Sequence, residues 1–212
     1  MSNIYTSEAA WQAFDNGDLE RAGQIWLTLM HRPQALETHN RYQLNYAQVL
    51  IAQGRYLEAQ RMLQELYTRT GHSRFLHLLG CLARQAGQLK KALRLFLTEK
   101  EHLDAEDHLA LAINAYELGL TAWQRRDYTQ AIEAAESSLS HAIKAQDLTC
   151  KGIAHRLLGD LLLAANRRGD ARSCYLAAYD AFSQVQDQQA LETLKLSMSG
   201  LRPPVLSRPV SA

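Results

Sequence analysis

The sequence predicts an all-α protein made of repeated antiparallel helix pairs. Three observations carry that expectation. Of the 4 prolines, Pro33 stands alone near the start and Pro203, Pro204 and Pro209 crowd the end, so nothing between them breaks a helix outright. The residues between are dominated by Ala, Leu, Gln, Glu and Arg, all good helix formers, without the β-branched runs that strands prefer. And one short phrase returns along the chain: NGDLERA at 16–22, AQGRYLEA at 52–59, AGQLKKA at 86–92, RRDYTQA at 125–131 and a degraded NRRGDA at 166–171.

The phrase has fixed parts. A turn residue comes first: Gly17, Gly54, Gly87, Arg126 or Asn166. An aromatic residue or Leu follows in the first four copies, then two polar residues and Ala. The copies recur at intervals of roughly 33 to 40 residues, a period that marks a helical repeat array. A two-helix unit explains the parts. The turn residues stop a leading helix, and Asp18 or Asp127 caps the following one by accepting backbone N–H bonds. Asp127 and Gln130 have capping-box spacing. A small residue in each helix lets the two axes approach, and a bulky residue one turn later fills the space between neighbouring pairs.

The pairs follow in order. The first, about 3–31, has Ala9-Ala10 upstream of Gly17 and Trp26 downstream. The second, 37–70, has Tyr46-Ala47, Gly54 and Leu63. The third, 73–100, has Leu79-Gly80, Gly87 and Phe96. The fourth, 104–145, has Leu118-Gly119 and Arg126, with Ala135 where the others carry bulk. The fifth, 148–185, has Leu158-Gly159, Asn166 and Tyr175. The last two pairs end in longer segments, Ala145-Gln146-Asp147 and Val185-Gln186-Asp187. A final helix at 187–199, amphipathic through Leu191, Leu194, Leu196 and Met198, reads as the cap that a repeat array needs. One repeat domain is therefore expected over 1–199, followed by a disordered Pro-containing tail, GLRPPVLSRPVSA, at 200–212.

The small residue, the Gly/Tyr turn, the Ala and the aromatic positions resemble the tetratricopeptide repeat (TPR) over about residues 3–186. The resemblance implies a right-handed α-solenoid whose leading helices line a concave face that takes a partner's peptide or helix. Carrying the register over names the residues that would face it: Arg41, Asn45 and Gln48 in the second pair, Arg74, His77, Cys81 and Arg84 in the third. Tyr116, Trp123 and Gln124 follow in the fourth, Arg156 and Asp160 in the fifth, with Trp11 and Phe14 in the first. That is a basic middle with aromatic flanks, suited to an acidic or C-terminal peptide because Arg binds carboxylates bidentately. The carboxylate clamp of the family's chaperone adaptors is incomplete, since Ser7 and Trp11 stand where its first-repeat positions fall.

Other function classes find little support. The chain has 212 residues and a formal net charge of +1, which gives no global pull toward nucleic acid or a membrane surface. The first 18 residues, MSNIYTSEAAWQAFDNGD, lack the basic and apolar regions of a signal peptide, so a cytoplasmic protein is expected. Cys81, Cys150 and Cys174 form no CxxC pair and are expected as reduced, partly buried thiols. His102 and His108, six apart among acids, are expected as a solvated segment rather than a metal site. There is no HExxH, GxxxxGK[ST], GxGxxG or GxSxG motif, and Cys81 beside His77 lacks a third orienting group. A noncatalytic interaction module without cofactor is the expectation, as an adaptor or chaperone-like scaffold that could also self-associate. A ligand-responsive regulatory sensor is the alternative, and an RNA-binding solenoid a weaker one.

Overall fold

The computed structural model describes residues 5–201. Among them lie eleven α-helices and no strand, so the fold class is all-α. The chain divides into two compact units, residues 1–88 and 89–212. The tail expected at 200–212 lies outside the described residues from position 202 onward.

The first unit holds α1 (Ser7–Asp15), α2 (Leu19–Met30), α3 (Leu36–Ala52), α4 (Tyr56–Thr70) and α5 (Ser73–Gln85), each packed on the next. Thr6 caps α1 by accepting from Ala9 N–H, and Asp18 caps α2 by accepting from Arg21 N–H. The core is centred on Trp26, which is fully buried. Its ring lies edge-on to Trp11 at 5.7 Å and tilted against Tyr42 at 5.5 Å, so it joins the first pair to the second. Gly23, one turn before, lets α3 approach: a Cβ there would lie 3.4 Å from the Tyr46 ring. Further along, Leu63, Leu66 and Phe75 are fully buried.

The second unit holds α6 (Leu89–His102), α7 (His108–Gln124), α8 (Tyr128–Lys144), α9 (Leu148–Ala164), α10 (Arg168–Gln184) and α11 (Gln188–Ser199). Consecutive helices pack here too, and α7 also touches α9. Asp107, Asp127, Asp147 and Asp187 cap α7, α8, α9 and α11 by the same side-chain acceptance of a backbone N–H. One core cluster joins Ala122, Ala131, Ala135, Leu157, Leu158 and Leu161. Another joins Leu162, Ala171, Tyr175, Ala178, Phe182 and Leu194, so α11 closes the core with Leu194 as a cap should. Leu196 points the other way and is 76% exposed.

The recurring turn residue has a single backbone role. Gly17, Gly54 and Gly87 sit in the left-handed region, with φ between 72 and 78°, and so do Arg126 at 63° and Asn166 at 59°. Gln146 and Gln186, in the segments after the fourth and fifth pairs, do the same at 56°. Behind each, the next residue's N–H reaches the carbonyl five residues back, as Asp18 does to Ala13 and Asp127 to Ala122. This is the Schellman closure of a helix end. The residue that makes it caps the following helix at Asp18, Asp127, Asp147 and Asp187.

The small residues of the repeat are contact points between helices. A Cβ on Gly119 would lie 3.4 Å from the Ala131 carbonyl of α8, within the same pair. On Gly159 it would lie 2.5 Å from the Tyr175 ring of α10. The bulky downstream residue was expected to fill the space between pairs. Trp26 does so, whereas Tyr175 lies first on the glycine of its own pair and reaches Leu194 of α11 through the shared core.

Candidate functional site

Helices α3 and α5 lead pairs in the first unit. On α3, Arg41, Asn45 and Gln48 are spaced four and three apart and share one face. Arg41 is exposed, while Asn45 and Gln48 are half-buried. On α5, Arg74, His77, Cys81 and Arg84 form a similar stripe, with Arg74 exposed and the other three half-buried. The Arg74 guanidinium lies 5.2 Å over the Phe75 ring, a cation–π contact that steadies it. His77 Nε2 is 3.7 Å from Cys81 Sγ.

The starts of α3 and α5 border an open cavity of about 620 Å³, lined by Leu36, Glu37, Asn40, His72, Ser73 and Arg74. Asn40, buried at its floor, accepts a 2.8 Å hydrogen bond from Arg69 Nη2 of α4. Arg69 also donates to Gln43 Oε1. This arginine holds two α3 side chains and was absent from the sequence expectation, because 29 residues separate it from Asn40.

In the second unit Tyr116 and Trp123 share one face of α7 and are half-buried against the Ala122–Leu161 cluster. Leu109, Ile113 and Leu120 complete their stripe, at steps of four, three, four and three. Leu109 is 41% and Ile113 40% exposed, which is high for large apolar side chains on a core helix. Both were missed in the sequence, although the spacing leading to Trp123 was there to be read.

Arg156 of α9 is committed inside the protein. Its guanidinium lies 3.6 Å from Asp160 and donates to Tyr116 Oη across 3.4 Å. Asp160 Oδ1 in turn accepts a 2.7 Å bond from Tyr175 Oη. Burial, and then this bond, push the Tyr175 phenol well above its ordinary range. Arg156 therefore spends much of its charge on Asp160, and this face is more aromatic than basic.

The three thiols are free and half-buried. Burial pushes Cys150 up to about 11, and burial also raises Cys174. Both are protonated at neutral pH and so poor nucleophiles. His102 and His108, six apart in sequence, lie on different helices: His102 ends α6, and His108 opens α7. Among the described residues no helix is long and apolar enough to cross a membrane.

No protein-family model matches the chain, and no curated protein does. Solved structures do match its fold. TPR-like repeats assigned to a kinesin light chain of Podosopora anserina superpose with a TM-score of 0.63 at 16% identity, covering 86% of this chain and 95% of that one. Bacillus thuringiensis PlcR, solved with the peptide PapR7 and DNA, gives a TM-score of 0.74 at 13% identity, covering 89% and 72%. Pseudomonas aeruginosa pilF gives 0.66 at 16%, covering 94% and 91%. The fold is that of a TPR-like helical repeat protein.

Proposed function

We infer that the chain is a noncatalytic protein-interaction module, acting as an adaptor or chaperone-like scaffold in the cytoplasm. Its leading helices hold a peptide or helix of another protein. The observation that carries this reading is the exposure of particular side chains on α3 and α5 of the first unit and, separately, on α7 of the second. Arg41 and Arg74 are exposed on the first two, and Leu109 and Ile113 stand out of α7. Arg41, Asn45, Gln48, Arg74, His77 and Arg84 supply donors for carboxylates and peptide carbonyls. Tyr116 and Trp123 supply aromatic surface of the kind that anchors partners.

A second reading has its own support. PlcR was solved with a peptide, and this chain shares its fold over 89% of its length. In a peptide-responsive sensor the same stripes would bind a signal peptide and alter the affinity for a regulator.

Capture from a native lysate tests both. Wild type is compared with an Arg41→Glu, Arg74→Glu variant and with a Trp123→Ala variant, each checked for helicity by circular dichroism. A partner retained by wild type and lost by either variant supports the module. A partner kept by both variants moves the interface off these helices and overturns the assignment of the stripes. Compaction of the chain by a bound peptide, read by solution scattering, would favour the sensor.

A further inference from the structure

His108 and His141 are 33 residues apart in sequence and adjacent in space. Asp107 caps α7, so His108 is the first residue of that helix. His141 lies in the last turn of α8. The two helices form a tight antiparallel pair, which brings the start of one beside the end of the other. The rings face each other at 5.4 Å between centroids and 43° between planes, and both are half-buried. Their Nδ1 atoms are 3.4 Å apart.

That separation is informative. It is longer than the 2.7–3.2 Å typical of N–H hydrogen bonds. Two imidazole nitrogens bound to one ion at about 2.0–2.1 Å, at a tetrahedral angle, would stand about 3.4 Å apart. Imidazole ligates only when neutral. The Lys144 and Lys100 ammonium groups carry positive charge close enough to act on His141. The nearest carboxylate in sequence, Asp107, is occupied by the Ala110 N–H.

We propose that His108 and His141 form a two-imidazole site for a borderline divalent transition metal ion of the Zn²⁺, Co²⁺ or Ni²⁺ class. The two Nδ1 atoms supply two positions, and water or a partner's side chain fills the others. The ion replaces a long contact between helix ends with two coordinate bonds. Lys100 and Lys144 oppose the added charge, which keeps the site modest in affinity and dependent on salt.

The test titrates the full-length protein with Co²⁺ and compares wild type with His108→Ala and His141→Ala, each confirmed folded by circular dichroism. The expected result is one bound equivalent in wild type and affinity about tenfold weaker or worse in each variant, a change of about 1.4 kcal/mol. The bound ion should show no thiolate charge-transfer band. A second readout needs no variant: paramagnetic Co²⁺ should broaden the ring signals of His108 and His141 before those of the chain's other histidines. Undiminished affinity in both variants, a thiolate band, or first broadening at another histidine would overturn the proposal.

Discussion

The hydroxyl of Tyr175 donates to Asp160 Oδ1 across 2.7 Å, and a Cβ added to Gly159 would lie 2.5 Å from the ring that carries this hydroxyl. One tyrosine thus serves two neighbouring positions of α9, by its ring face and by its polar tip. Tyr175→Phe keeps the packing and removes the bond. It should cost about 1 kcal/mol, because Asp160 keeps Arg156 as a partner. Gly159→Ala keeps the bond's atoms and pushes on the ring, and should cost about 1–3 kcal/mol. Urea denaturation would rank the two. Equal stability of Gly159→Ala and wild type would mean that α9 and α10 do not approach this closely.

Phe182 offers an independent check one pair-turn away. A Cβ on Gly152 would lie 2.5 Å from its ring, and Phe182 is fully buried. Gly152→Ala should lower stability by about 1–3 kcal/mol. The Gly152→Ala, Phe182→Leu double variant should recover part of that loss, since the shorter branched chain vacates the clash. A thermal melt with no recovery would place the damage in the backbone rather than at the ring.

The left-handed corners predict gains rather than losses. Arg126, Gln146 and Gln186 hold φ between 56 and 63°, where a side chain is unfavourable and glycine is not. Each replaced by Gly should raise stability by about 0.5–1 kcal/mol, the strain relieved exceeding the entropy added to the unfolded chain. Asn166 tolerates the same region better, so Asn166→Gly should gain less. A loss in Arg126→Gly by chemical denaturation would show that its side chain makes a contact worth more than the strain.

Acid should weaken the second unit. Burial is the first cause that lowers the pKa of both His141 and His155, with His108 and Lys144 adding to the first and Lys151 to the second. A base whose folded pKa is depressed binds protons more readily when unfolded. Its stabilisation is therefore complete above the unfolded value of about 6.5 and is lost as pH falls through the lower folded value. Urea midpoints should drop between pH 7.5 and 5, and His155→Phe should flatten the fall. An unchanged slope in that variant would assign the sensitivity to other groups.

The fold was legible because its signals are local. A corner needs a left-handed residue, a cap and a small neighbour within a few positions, and Gly17-Asp18 writes all of this in one phrase. Even Arg126 and Asn166, poor matches by residue type, were found by register and hold the same conformation as the glycines. The candidate site was less legible. Arg156 could be placed on its helix, but its commitment to Asp160 and Tyr116 depends on side-chain reach between helices. Arg69 gripping Asn40 and His141 meeting His108 depend on pairings 29 and 33 residues long, which no periodicity encodes.

At most corners, two residues separate the end of a helix from the cap of the next, and the second of them is left-handed. There is no slack in such a joint. A single inserted residue inside a helix turns everything beyond it by about 100°, carrying the small and bulky residues off the faces they serve. A lineage built this way can lengthen or shorten comfortably only by whole clauses, a helix pair at a time.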